Sequence, residues 1–361
     1  VMLESVRVLS MAEQYPGPFA TSILADLGAD VVLFERTAGG DPSRRFPEFF
    51  DALNRGKRSV AADLKTPEGK MAFAQLARTA DVVLEGFRPG VAARLGVGAD
   101  DVHRINPRAV YLSISGFGQD GPYRDRPGHD LSYQAHAGAL GVDASHIQPG
   151  GLSLGDLAAA MYATVAAVGG LYERERTGRG PVVDVSITDA LVSWMTTSAV
   201  PVVNGAEQGA LEAEPGYGVF RTSDGGRVAL AVAHEDHFWR RLAEATGVGD
   251  VAHLDGRARL ADAEALRARI SSAIEGAPLA TWLETLDAHD VPHARVNAPG
   301  DLPDDPHIQA RGLFVGIAGA SARRYLRTPL VIDGVAPAPR RRTPDLGEHT
   351  AEVLAEWGES G

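Results

Sequence analysis

At 361 residues the chain is long enough for two lobes, each with its own core. Its 44% hydrophobic and 23% charged residues are the balance of an ordinary globular protein. A net charge of −12 argues against nucleic acid as a partner, and the absence of cysteine excludes disulfides, thiolate nucleophiles and Cys-ligated zinc. No apolar run reads as a membrane span and residues 1–30 lack a signal-peptide layout, so the expectation is a cytoplasmic protein with no membrane partner.

The first third alternates strand and helix signals. Val6–Ser10 is a short apolar run, Pro16-Gly17-Pro18 opens a helix over Phe19–Leu27 that Gly28 closes, and Asp30–Phe34 reads as a buried parallel strand. Thr66-Pro67-Glu68-Gly69 carries helix-start chemistry for a helix running to about Arg78. Asp81–Leu84 and Ala109–Ser115 are the next strands. This βαβ rhythm predicts a doubly wound parallel sheet, an α/β fold. A long alanine-rich helix is expected over Leu157–Arg176, then a strand at Val182–Ser186 and a helix from Thr188 to Trp194.

The pattern then changes. Residues 199–217 lack periodicity and read as a linker after a large domain of residues 1–198. A smaller α+β domain over residues 218–298 follows: a hairpin at Gly218–Val232 turning on Asp224-Gly225-Gly226, then helices near Phe238–Thr246, Asp262–Ile274 and Leu279–Leu286. Residues 299–361 are expected to form a second linker, near Pro299–Pro306, and a return to the large domain, with a strand at Tyr325–Ile332 and a last helix at Glu348–Trp357.

Between Arg36 and Arg108 there are 13 Lys/Arg against 9 Asp/Glu, a net positive stretch in an acidic protein. It is either a solvated face or a pocket for a small polyanion. Gly116-Phe117-Gly118-Gln119-Asp120-Gly121 matches G-x-G-x-x-G after a strand. The residues beyond it, Pro122 to Gly128, are turn chemistry, and without a helix start the dinucleotide reading fails. His234-Glu235-Asp236-His237 lacks the helical H-E-x-x-H spacing, so no metal site is expected.

Several segments together resemble one family. Pro16–Asp30 (PGPFATSILADLGAD), Asn54–Gly69 (NRGKRSVAADLKTPEG), Gly86–Gly96 (GFRPGVAARLG), Ser115–Tyr123 (SGFGQDGPY), Gly155-Asp156 and Thr177–Ser186 (TGRGPVVDVS) are similar to the class III CoA-transferases and α-methylacyl-CoA racemases. The resemblance runs from about Val6 to Arg311. It implies a Rossmann-like large domain completed by the C-terminal tail, a smaller inserted domain, and an interlocked homodimer. It also implies an acyl-CoA substrate, with coenzyme A entering as part of the substrate and no tightly bound cofactor.

By position, Arg36, Lys65, Arg88 and Arg94 match residues that bind CoA in the family, and Asp130 is grouped with them. Asp156, placed directly before the long helix, is either a plain N-cap aspartate or the family's catalytic carboxylate: nucleophile in transferases, acid/base in racemases. Gly128-His129-Asp130 followed by Leu131-Ser132-Tyr133 resembles the racemases' GHD segment, whose histidine is a base. Glu235 falls where racemases carry a glutamate. His129 and Glu235 read otherwise as a loop histidine and a solvated helix-start acid. Tyr15 stands where formyl-CoA transferases of the oxalate type carry glutamine, against that branch. The leading expectation is epimerisation of a 2-methylacyl-CoA through an enolate, with His129, tuned by Glu235, and Asp156 on opposite faces of the α-carbon. The alternatives are a CoA-transferase working through a mixed anhydride on Asp156 and a non-catalytic acyl-CoA binder.

Overall fold

A computed structural model describes residues 2–141, 151–206, 214–317 and 323–358. It resolves into two compact units: Val1–Thr196 with Gln309–Gly361, and Thr197–Ile308.

The first unit is built on six parallel strands: β1 (Arg7–Ser10), β2 (Asp30–Glu35), β3 (Arg58–Ala61), β4 (Val82–Glu85), β5 (Val110–Ser115) and β6 (Val182–Ser186). They lie in the order β3-β2-β1-β4-β5-β6, the doubly wound arrangement expected from the βαβ rhythm. The four residues of β4 and all six of β5 are buried, as strands covered by helices on both faces must be. The order reverses between β1 and β4, and the carboxyl ends of these two strands therefore diverge into a crevice.

The helix Pro16–Asp26 and the long helix Leu154–Thr177 cover one face, where Leu24, Ala158, Ala159, Ala163 and Ala167 pack on Val8, Val82 and Val110. Against expectation, the long helix is apolar enough and long enough to cross a membrane, by length and composition alone. Alanine explains this: it raises hydropathy while letting a helix approach a sheet closely, and Ala158, Ala159, Ala160, Ala163 and Ala167 are all fully buried. Its other side exposes Met161, Tyr162, Val165, Val168 and Tyr172.

The tail returns to the first unit and protects the sheet's edge. His349 N–H donates to the Ser59 carbonyl at 2.9 Å and Ala61 N–H to the Thr350 hydroxyl at 3.1 Å, both on edge strand β3. The last helix, Thr350–Gly358, buries Val353 and Trp357 beside Phe73 and Leu76. Arg58, 3% exposed, joins Asp30 to Glu352 and Glu356 and so pins that helix electrostatically. Strand β3 and the helix Pro47–Asn54 before it carry no clear periodicity in the sequence. Their register comes from β2 on one side and the tail on the other.

In the second unit β7 (Tyr217–Arg221), β8 (Arg227–Ala231) and β9 (His293–Arg295) form an antiparallel sheet. Helices Asp236–Ala245, Ala263–Ile274 and Leu279–Ala288 supply a core around Trp239, Leu242, Ile270, Trp282 and Leu286. The expected linker at 199–217 begins instead as a helix, Thr196–Val203, and residues 207–213 lie outside the described residues. The expected linker near Pro299–Pro306 is a 3-10 turn, Pro299–Asp304, set by its prolines. The strand expected at Tyr325–Ile332 shrinks to β11 (Arg324–Leu326), paired with β10 (Phe314–Gly316).

Candidate functional site

A cavity of about 900 Å³ opens where the strand order reverses. Its wall is made by chain leaving β1 (Ala12 to Gly17), by Gly86 to Pro89 after β4, by Ser115 and Gly116 at the end of β5, and by Asp156. His129, Asp130 and Tyr133 close it from the helix Asp130–His136 and the residue before it.

Asp156 is not the residue that caps its helix. The helix begins at Leu154, and the Ser153 side chain makes no cap. Asp130 supplies the cap from a neighbouring helix: its Oδ1 accepts from the N–H groups of Gly155 (2.8 Å) and Asp156 (3.2 Å), while its other oxygen accepts from Gln134. This frees the Asp156 carboxyl to line the cavity, where it accepts no side-chain hydrogen bond among the described residues. Burial, reinforced by the Asp130 charge, pushes its pKa up to about 7. The plain N-cap reading therefore fails for Asp156 and applies to Asp130, whose two oxygens are both engaged within the protein while the residue also lines the cavity.

The cap and the charge of Asp130 are separable by substitution. Asp130→Ala is expected to cost about 1 kcal/mol of stability through the lost cap, measured by thermal melting. Asp130→Asn keeps an acceptor oxygen and should cost less. Both remove the negative charge beside Asp156, so the midpoint of any rate governed by that carboxyl should move below pH 7 in both variants.

His129 lies exposed at the cavity rim, with its backbone N–H on the Ser132 hydroxyl at 3.0 Å. His129 and Asp156 thus line the same cavity. Glu235 belongs to the second unit, in front of the helix Asp236–Ala245, with its carboxylate 3.8 Å from His234 Nδ1.

Of the expected basic set, Arg88 lines the cavity directly. Arg94 lies beside it: a Cβ placed on Gly90 would be 3.2 Å from the Arg94 guanidinium and 3.3 Å from that of Arg124. Arg36 follows β2, with its Nε donating to the Gly40 carbonyl at 2.7 Å, and its charge acts on Glu13 in the cavity wall. Lys65 is exposed after β3 and is not part of the cavity wall.

Three groups in the wall, Arg124, Arg126 and Glu13, escaped the sequence reading. Arg124 and Arg126 were legible only as turn chemistry, yet both line the cavity with Arg88 and add guanidinium forks suited to phosphate oxygens. Glu13 sits in the wall with its pKa pushed up to about 7 by burial and by Asp41; its only signal is an acid placed just beyond a strand at the sheet's carboxyl edge. Tyr15 is raised by burial and by the Asp156 charge, which puts it in the same electrostatic neighbourhood. The glycine-rich Gly116–Gly121 segment is a turn, and the helix that follows it in the chain starts only at Asp130.

The sequence profile of CoA-transferase family III matches residues 3–350. The chain belongs to that family. This family III protein is 33% identical to the succinate–glutarate CoA-transferase of Agrobacterium fabrum, over 98% of this chain and 95% of that one. It is also 33% identical to the succinyl-CoA:mesaconate CoA-transferase of Haloarcula hispanica, over 99% and 96%. The crystal structure of a CaiB/BaiF family protein from Brucella suis superposes with a TM-score of 0.87 at 30% identity, covering 98% of both chains. The Rossmann-like first unit of this family III protein thus has its counterpart in a solved relative.

Proposed function

We propose that the protein is a CoA-transferase that moves CoA from one carboxylic acid to another with Asp156 as nucleophile. One observation carries this: a carboxyl without a side-chain hydrogen bond among the described residues, in the first turn of a helix, facing a cavity rimmed by arginines. The names of the Agrobacterium and Haloarcula relatives, both CoA-transferases of small dicarboxylic acids, support it. The ionised carboxylate adds to the thioester carbonyl; a C–O bond forms, the C–S bond breaks, and CoA leaves as thiolate. The thiolate then attacks the aspartyl carbonyl of the mixed anhydride and releases the first acid. A second acid repeats the sequence in reverse and departs as its CoA thioester. Arg88 and Arg94, with Arg124 and Arg126, bind the CoA phosphates. Everything in this cycle happens without a tightly bound cofactor, in the cytoplasm.

A carboxyl with a pKa of about 7 is more basic than an ordinary aspartate, hence a better nucleophile once ionised. Protonated, it cannot attack. The transfer rate should therefore rise about tenfold per pH unit below 7 and level off above it, measured under saturating thioester.

A second reading, epimerisation of a 2-methylacyl-CoA, is favoured by one observation: His129 shares the cavity with Asp156. The imidazole and the carboxyl would then exchange a proton with the two faces of the α-carbon. Incubation with 2-methylacyl-CoA in heavy water separates the two. Transfer requires a second acid and leaves the α-hydrogen in place, while hydroxylamine traps the enzyme-bound anhydride. Wash-in of deuterium with no acid acceptor, and no hydroxylamine sensitivity, would reverse the order.

A further inference from the structure

We propose that Tyr133 is a further catalytic residue whose hydroxyl donates a hydrogen bond to the carbonyl oxygen of the bound acyl group. The inference rests on the reading of the cavity as a CoA-thioester site. The ring is held in a slot made by two glycines. A Cβ on Gly116 would lie 2.5 Å from the Tyr133 hydroxyl oxygen, and one on Gly128 would lie 2.5 Å from its Cε1. Neither position tolerates a side chain without displacing the ring. Phe117 packs edge-on at 5.4 Å between centroids, and the residue is 6% exposed. Orientation is therefore fixed before any ligand arrives.

A phenol buried to this degree ordinarily finds a partner for its O–H. The Tyr133 hydroxyl makes no hydrogen bond among the described residues, and the side chain lines the same cavity as Asp156. If the ring served packing alone, phenylalanine would fill the slot equally well. The helix that carries Tyr133 also carries Asp130, the cap of the Asp156 helix, so donor and nucleophile are held in register by one pair of hydrogen bonds. Burial and the Asp156 charge raise the phenol's pKa, with Arg88 opposing, and keep the group a donor at neutral pH. When Asp156 adds to the carbonyl, negative charge gathers on that oxygen; the same donor would serve the enolate oxygen of an epimerase.

Binding tests this without turnover. Acetonyl-CoA, a thioether with its ketone one methylene beyond the sulfur, and S-propyl-CoA, with a methylene in place of that ketone, differ only at the acceptor carbonyl. Calorimetry on the full chain should show acetonyl-CoA bound about fivefold tighter, the weight of one neutral hydrogen bond. Tyr133→Phe should erase that preference and leave the Kd for S-propyl-CoA within about twofold, at an unchanged melting temperature. Replacing Tyr133 by 3-fluorotyrosine keeps the ring and strengthens the donor, and should widen the preference. A preference retained in Tyr133→Phe, or no preference in the wild type, overturns the proposal alone. Failure of the wild type to bind either analogue removes the CoA reading and this inference with it.

Discussion

Asp156→Ala should lower kcat by on the order of 10⁴-fold or more while the protein still binds CoA and melts as the wild type does. The size follows from the role: a nucleophile has no substitute, and the cavity offers none at the start of the same helix. The fold should survive because the helix is capped by Asp130, through backbone N–H groups that the substitution leaves in place. Asp156→Asn is the sharper control, since it keeps volume and polarity but cannot form an anhydride. Steady-state rates with succinyl-CoA and a second dicarboxylate measure the effect. Turnover within tenfold of the wild type in either variant would remove Asp156 from the chemistry, and the transferase and epimerase readings with it.

The second large effect concerns stability. Arg259, fully buried in the second unit, meets Glu214 at 3.1 Å and Asp236 at 2.6 Å, and donates to the Ala233 carbonyl at 3.1 Å. Ala233 and Asp236 bracket Glu235, so one guanidinium holds the turn that presents this carboxylate. Arg259→Met strands the Glu214 carboxylate, itself 3% exposed, without its cation. The expected cost is about 3–5 kcal/mol, read from urea denaturation of the full chain. Adding Glu214→Leu should recover most of the loss, because the penalty lies in the orphaned charge rather than in the missing pair. A cost below about 1 kcal/mol would mean that water reaches Glu214.

Strand and helix signals were legible where one residue type repeats with a clear period. Val182–Ser186 matches its strand to the residue, and the apolar β2 and β5 stand within one residue of their expected bounds. β3 was illegible because Arg58-Ser59-Val60-Ala61 is four residues long, two polar followed by two apolar, with no alternation; its strand conformation depends on β2 and on a tail nearly 300 residues away in the chain. The choice between transferase and epimerase shows the same division. The GHD segment pointed to the epimerase, yet the residues around Asp156 serve either chemistry, and the relatives' names favour transfer.

By itself the sequence determined the family and the parallel sheet and singled out Asp156 as a candidate, because strand periodicity, turn glycines and motif order are local properties. Only the tertiary structure decided which acid caps the long helix, which arginines join Arg88 at the cavity, and where Tyr133 places its hydroxyl. Those depend on side chains converging at the reversal between β1 and β4 from segments more than 100 residues apart, and such convergence leaves no trace in spacing along the chain.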